Sequence, residues 1–76
     1  MRKKIINLAE ALLEDELPKS AKEGLNSTIG LLKGEKDNNL CKAKCTELLE
    51  GVVHNENIDS FIRTQLWDVV AAIEQL

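Results

Sequence analysis

The sequence predicts an all-α protein, an antiparallel up-and-down four-helix bundle built from two packed helical hairpins. Three observations favour this fold class. Apolar residues recur with the period of a helix in four separate segments. Short polar segments separate them, and helices joined by short loops pack as antiparallel neighbours. No segment alternates apolar and polar residues for long enough to indicate a strand. We therefore expect residues 1–76 to form one four-helix domain.

The first predicted helix lies near the N-terminus and ends at the acidic segment 14–16. Its predicted buried face consists of Ile5, Leu8, Ala9 and Leu12. The basic run Arg2-Lys3-Lys4 precedes this face, and we interpret it as a solvated N-terminal end rather than as a binding site.

The second predicted helix begins at Pro18, which suits a first helical turn because its missing N–H would be unpaired there anyway. Its core stripe consists of Ala21, Leu25, Thr28 and Leu32. Gly34 is predicted to end the helix as a left-handed cap. A row of small residues, Ser20, Gly24 and Ser27, lies beside the stripe and lowers helix propensity. The row therefore predicts close packing against another helix, within the chain or between chains.

The third and fourth predicted helices follow polar breaks at residues 35–39 and 54–57. Asp and Asn residues of the first break can cap the third helix, and Asn57 or Asp59 can cap the fourth. The third helix presents on one side Cys41, Cys45, Leu48, Leu49 and Val52. The fourth helix, within residues 58–76, has the apolar stripe Ile62, Leu66, Val69, Ile73 and Leu76. The two hairpins resemble each other, which leaves both duplication and chance similarity open.

Two short motifs carry a resemblance to a known family. Leu17-Pro18-Lys19 opens the second helix, and Arg63-Thr64-Gln65-Leu66-Trp67 lies inside the fourth. They resemble a small uncharacterised archaeal protein family with a Val-Pro-Lys turn and an Arg-Thr-x-Ile-Trp segment in its last helix. The resemblance covers about residues 8–76 and implies a bromodomain-like bundle without an assigned activity. The chain departs from that family at Ile58-Asp59, where Met-Pro is usual.

Composition argues against several classes of function. The net charge is −3, so the chain lacks the excess of cations that drives binding to nucleic acids. One Phe, one Trp and no Tyr argue against a surface for stacking bases. No apolar run approaches the ~20 residues of a membrane span. Two cysteines do not make a disulfide framework, so we expect a cytoplasmic protein with reduced thiols.

No catalytic, cofactor or metal site is predicted. Cys41 and Cys45 share a helix face, but His54 lies half a turn away from that face and ~13 Å along the helix axis. We therefore interpret both cysteines as buried, metal-free core residues. Glu50 precedes His54 by four residues, not by the three of a di-metal bundle motif. The Ser and Thr residues have only His54 as a base, and the glycines do not form a phosphate-binding loop.

The candidate contact residues lie on the fourth helix around its single Trp. On a helical wheel, Trp67 is roughly 140° from the centre of the apolar stripe, with Val70 and Glu74 on its flank and Arg63 one turn earlier. Two interpretations stay open. Trp67 covers a seam between helices with Arg63 stacked on its ring, or one face of the ring stays accessible and contacts another protein or subunit.

We therefore expect a non-enzymatic protein-interaction module that binds a protein partner or associates with itself. We expect no cofactor, nucleic acid, membrane or small-molecule substrate. The alternative is a small-ligand binder or an enzyme with a pocket between helices, which needs clustered buried polar residues. A nucleic-acid accessory factor is the third hypothesis. An apolar patch around Trp67, a polar cavity or a basic stripe would distinguish these three.

Overall fold

Residues 2–55 and 57–76 are described by the computed structural model, and they form four α-helices and no strand. The helices are α1 (Arg2–Leu13), α2 (Lys19–Gly34), α3 (Asn38–Val53) and α4 (Ser60–Glu74). This confirms the all-α class and the number of helices. Residue 56, in the predicted polar break 54–57, and residue 1 lie outside the described residues. Within the described part, the helices are too short or too polar to cross a membrane.

The four helices enclose one hydrophobic core. Each helix packs against two others, so that α1 and α3 each contact both α2 and α4. The core residues are aliphatic apart from the two cysteines. Thr28 is also fully buried, and its hydroxyl donates to the Gly24 carbonyl at 2.9 Å, so burial leaves no unpaired hydroxyl there.

The predicted apolar stripes are largely confirmed, with two exceptions at their edges. The stripe of α2 is buried in full, and that of α4 is buried from Ile62 to Ile73, with Leu76 partly buried. Leu8 and Leu48, however, are 39% and 37% exposed. Each lies roughly 70° from the centre of the buried face of its helix, and the neighbouring helices do not cover that sector. Assigning them to the core was wrong.

Side chains cap two of the helices as predicted. The Asp37 carboxylate accepts from the backbone N–H groups of Asn39 and Leu40, at 2.9 and 3.2 Å, and caps α3. The Asp59 carboxylate accepts from the N–H of Phe61 at 2.8 Å and caps α4. Such bonds satisfy N–H groups that have no partner inside the helix. Of the two residues predicted to cap α4, Asn57 and Asp59, the structure shows Asp59 as the cap.

Gly34 does not form the predicted left-handed cap. No glycine of the described residues has a positive φ, and Gly34 is the last residue of α2. The chain leaves the helix through Glu35 in an extended conformation, with its N–H bonded to the Leu31 carbonyl at 2.8 Å. A side chain from another helix binds the free carbonyls at this end, as described below, so the left-handed turn is not required.

Gly24, the central residue of the small-residue row of α2, packs closely against α3, as predicted for packing within the chain, whereas Ser20 and Ser27 are exposed and line a groove between the two helices. A Cβ atom placed on Gly24 would lie 2.5 Å from Cγ2 of Val52. Real Cβ atoms essentially never approach other atoms that closely. A side chain at position 24 would therefore force Val52 to move.

Candidate functional site

Both aromatic residues of the chain lie on α4, and both are exposed. Phe61 is 64% exposed and Trp67 is 43% exposed, whereas the core beneath them is aliphatic. Thr64, Asp68 and Ala71 lie between the two rings around the helix and are also exposed. We name the surface formed by Phe61, Thr64, Trp67 and Ala71 the α4 outer face. Trp67 was expected here as one of two interpretations, but Phe61 was not singled out.

Arg63 is bound to the connection between α3 and α4. Its guanidinium donates to the carbonyls of Val53, Asn55 and Ile58, at 2.9, 3.1 and 3.5 Å. These bonds satisfy carbonyl groups at the end of α3 and in the connection that follows it, which have no helical partner. The half-buried Arg63 therefore holds the fold together at this point and has few donors left for a partner protein.

Val70 is buried, whereas Glu74 is exposed at the end of α4. Val70 is only 2% exposed and belongs to the core, so proposing it as a contact residue was wrong. It lies roughly 60° from the centre of the buried face, which is wide because α4 packs against both α1 and α3. Glu74 is exposed at the last residue of α4. Of the four predicted contact residues, Trp67 and Glu74 remain at the surface.

Arg2 binds carbonyl groups at the C-terminal end of α2, as Arg63 does at the C-terminal end of α3. Its guanidinium donates to the carbonyl of Leu32 at 3.0 Å, to the carbonyl of Glu35, and to Oδ1 of Asn38 at 2.7 Å. The interpretation of this residue as part of a solvated end was wrong. The carbonyl groups that accept these bonds are 30 or more residues away in the sequence, so no local sequence pattern predicts the contact.

A groove runs between α1 and α4. It has a volume of about 250 Å³, and we name it the α1–α4 groove. Its lining residues are Leu8, Ala11, Leu12, Asp15, Gln65, Asp68 and Val69. The floor is apolar and two carboxylates lie on its walls. Oε1 of Gln65 is buried and has no hydrogen-bond partner within the described residues, which marks an acceptor that lacks a donor.

A second groove lies between α2 and α3, with a volume of about 350 Å³. The small-residue row of α2 and the exposed Leu48 line it, together with Glu23, Gly51 and Val52. Its polar groups are two serine hydroxyls and one carboxylate, without an imidazole or thiol beside them.

Cys41 and Cys45 are fully buried, as predicted. Their sulfur atoms lie 3.9 Å apart, and the nearest other polar atoms are the carbonyls of Leu31 and Thr28. Burial, and then the neighbouring Cys41, raise the pKa of Cys45 from 9.0 to about 12. A thiol with such a pKa stays protonated and unreactive.

In residues 2–55 and 57–76 no group of three or more His, Cys, Asp or Glu residues is placed to hold a metal ion. The metal-free state of the pair stays a prediction.

The fold and surface define an all-α protein of four helices whose exposed aromatic residues lie on its last helix. The chain belongs to an uncharacterised protein family, UPF0147, whose model matches residues 1–76. This confirms the expectation of an uncharacterised family without an assigned function, and the match extends over more of the chain than the resemblance did. No curated protein and no solved structure matches the chain.

Proposed function

We propose that this protein is a non-enzymatic protein-interaction module and that the α4 outer face is its contact surface. One observation carries the proposal: the chain has two aromatic residues, and both are exposed on the same helix. Aromatic side chains are enriched at the centres of protein interfaces, where they supply much of the binding energy. An aliphatic core does not explain why these two residues are aromatic.

The geometry of the α4 outer face suits a helix of another protein. Phe61 and Trp67 are six residues apart, which is ~9 Å along the axis and roughly 120° around it, and the exposed side chains between them are Thr64, Asp68 and Ala71. The Thr64 hydroxyl already donates to the Ser60 carbonyl at 3.0 Å. A partner that covers this hydroxyl therefore does not leave it buried without a hydrogen bond. An apolar stripe of a partner helix can lie between the two rings.

The charge beside this face indicates the chemistry of the partner. Asp68 is exposed and lies between Phe61 and Thr64 around the helix, and the chain carries a net charge of −3. We therefore propose an amphipathic partner helix with a Lys or Arg facing Asp68. Complementary charge of this kind steers association and fixes the register of binding.

We also propose that the four helices form an antiparallel up-and-down bundle of the bromodomain-like type, in a cytoplasmic archaeal protein. Each pair of consecutive helices packs together across a short connection, which supports the antiparallel arrangement. The archaeal origin rests on the two sequence motifs described above.

Photo-crosslinking from defined positions tests the contact surface. A photoreactive phenylalanine analogue is placed at position 61, 67 or 40 and irradiated in native extract. Leu40 on α3 is the matched control, because its exposure of 44% is close to the 43% of Trp67. We expect positions 61 and 67 to crosslink the same protein and position 40 not to crosslink it.

The captured protein is then purified, and its binding to Phe61→Ser, Trp67→Ser and Leu40→Ser is compared. Loss of binding in the first two variants alone supports the proposal. Equal capture from all three positions, or binding that survives both α4 variants, overturns it. Circular dichroism shows that the variants remain folded.

A further inference from the structure

We propose that the α1–α4 groove is covered by a second copy of this chain, in a symmetric dimer whose two α1 helices pack antiparallel. This surface adjoins the α4 outer face at Asp68, which lines the groove, and the two proposals are tested through different residues.

The evidence begins with a stripe along α1. Lys4, Leu8, Ala11 and Asp15 follow each other at intervals of four, three and four residues, which places them on one side of a helix. The last three line the groove. Asp15 lies two residues beyond the end of α1, and its N–H bonds to the Leu12 carbonyl, three residues back, at 3.0 Å. A tighter turn of the 3₁₀ type therefore leads from the helix to Asp15, which lines the groove beside Leu8 and Ala11. The stripe is ~16 Å long, basic at one end, apolar in the middle and acidic at the other end.

The stripe is complementary to itself. Its spacing is the same when read from either end, so a two-fold axis between Leu8 and Ala11 pairs two copies in register. Lys4 then faces the partner's Asp15, and the exposed Leu8 faces the partner's Ala11, whose small side chain leaves room for it. Because the axis repeats every contact, each dimer gains two charge pairs and two apolar contacts.

Several groups on this surface have no partner among residues 2–55 and 57–76. Leu8 is 39% exposed. The structure contains one ion pair among residues 2–55 and 57–76, between Lys44 and Glu35, so neither Lys4 nor Asp15 is paired. Oε1 of Gln65 is a buried acceptor in the wall of the same groove. The partner's Lys4, brought to Asp15, has three N–H donors and can supply one to Gln65.

The charge pattern favours a second copy over a basic peptide. A uniformly basic segment would match Asp15 but would place like charges against Lys4, whereas an antiparallel copy matches both ends. A specific interface buries roughly 1,000 Å² or more in total, about 500 Å² on each copy. That is about a tenth of the 4725 Å² surface of the chain, so we expect a weak dimer that forms as concentration rises.

A charge-reversal cycle tests the dimer. Sedimentation equilibrium at low salt measures the dissociation constant of the wild type, Lys4→Glu, Asp15→Lys and the double variant. We expect each single variant to raise the constant about tenfold or more, because two attractive contacts become repulsive, and the double variant to restore it. The fold itself should tolerate both changes, since Glu near a helix N-terminus and Lys near a C-terminus are favourable.

Lys3→Glu is the matched control, since it makes the same charge change at an exposed position on another side of α1. It should leave the dissociation constant unchanged. A wild type that stays monomeric at every concentration overturns the proposal. So does an equal loss of association in Lys3→Glu, or a double variant that fails to recover. The test uses the purified chain alone, so its outcome does not depend on the partner of the α4 outer face.

Discussion

Replacing Gly24 with Ala tests how closely α2 and α3 approach each other. Two effects oppose each other. Alanine favours the helix by roughly 0.5–1 kcal/mol relative to glycine. The new methyl group, however, would lie 2.5 Å from Cγ2 of Val52, which must move away. A β-branched side chain in a helix has one strongly preferred rotamer, so Val52 cannot simply rotate. Overpacking of this kind costs about 1–3 kcal/mol.

Gly30→Ala provides the matched control within the same helix. Apart from the neighbouring backbone of its own helix, no atom lies within 4 Å of a Cβ at position 30, so this variant gains helix propensity without a clash. We expect it to raise the free energy of unfolding by about 0.5–1 kcal/mol. The difference between the two variants removes the propensity effect and measures the overpacking alone, about 1–3 kcal/mol.

Urea unfolding followed by circular dichroism measures these free energies, and thermal unfolding should separate the two variants by several degrees in a domain of this size. Val52→Ala combined with Gly24→Ala relieves the clash, and we expect a coupling energy of about 0.5–3 kcal/mol between the two sites. If Gly24→Ala stabilises the protein as much as Gly30→Ala does, the close approach of α2 and α3 is refuted.

Three further predictions concern the core, the helix ends and the thiols. Leu66→Ala should lower the free energy of unfolding by about 2–5 kcal/mol, because Leu66 is fully buried, and a loss below roughly 1 kcal/mol in urea unfolding would contradict its core position. Arg63→Met should cost about 1–3 kcal/mol by leaving carbonyls at the end of α3 without donors, and Arg63→Lys should recover only part of this in the same assay. The pKa of Cys45 is raised from 9.0 to about 12 by burial and then by Cys41, so the stabilisation from keeping this thiol neutral is complete below pH 9.0 and is lost as pH rises toward 12. Unfolding free energies of the wild type and Cys45→Ala across that pH range should therefore converge, and a constant difference would show that the thiol does not contribute.

The sequence predicted the direction of each buried face but not its width. Periodicity places Leu66 and Cys45 correctly because both lie near the centre of a stripe. Leu8 and Val70 lie at stripe edges, where burial depends on the position of the neighbouring helices. A helical wheel of one segment contains no information on that position. For this reason Leu8 was expected to be buried and Val70 to be exposed, and both expectations were wrong.

The candidate site was predicted only in part, for two physical reasons. Arg2 and Arg63 bond to backbone carbonyls, which every residue has, so the sequence gives no sign of which carbonyls they reach. Phe61 did have a signal that was not used. It is the single Phe of the chain and lies roughly 120° from the centre of the buried face of α4. An aromatic residue placed so far from the core, on the same helix as the single Trp, already indicates a contact surface.

The bonds of Arg2 also have a consequence for how the protein opens. Its guanidinium belongs to the first turn of α1, yet it holds carbonyls at the end of α2, and its contact with Leu32 spans 30 residues. Helix ends usually fray independently and exchange their amide hydrogens at low cost in free energy. Here, fraying of α1 releases the connection between α2 and α3, so amides in both places should exchange in a single opening event. A substitution that weakens the first turn of α1 would therefore expose a segment distant in sequence that it does not alter.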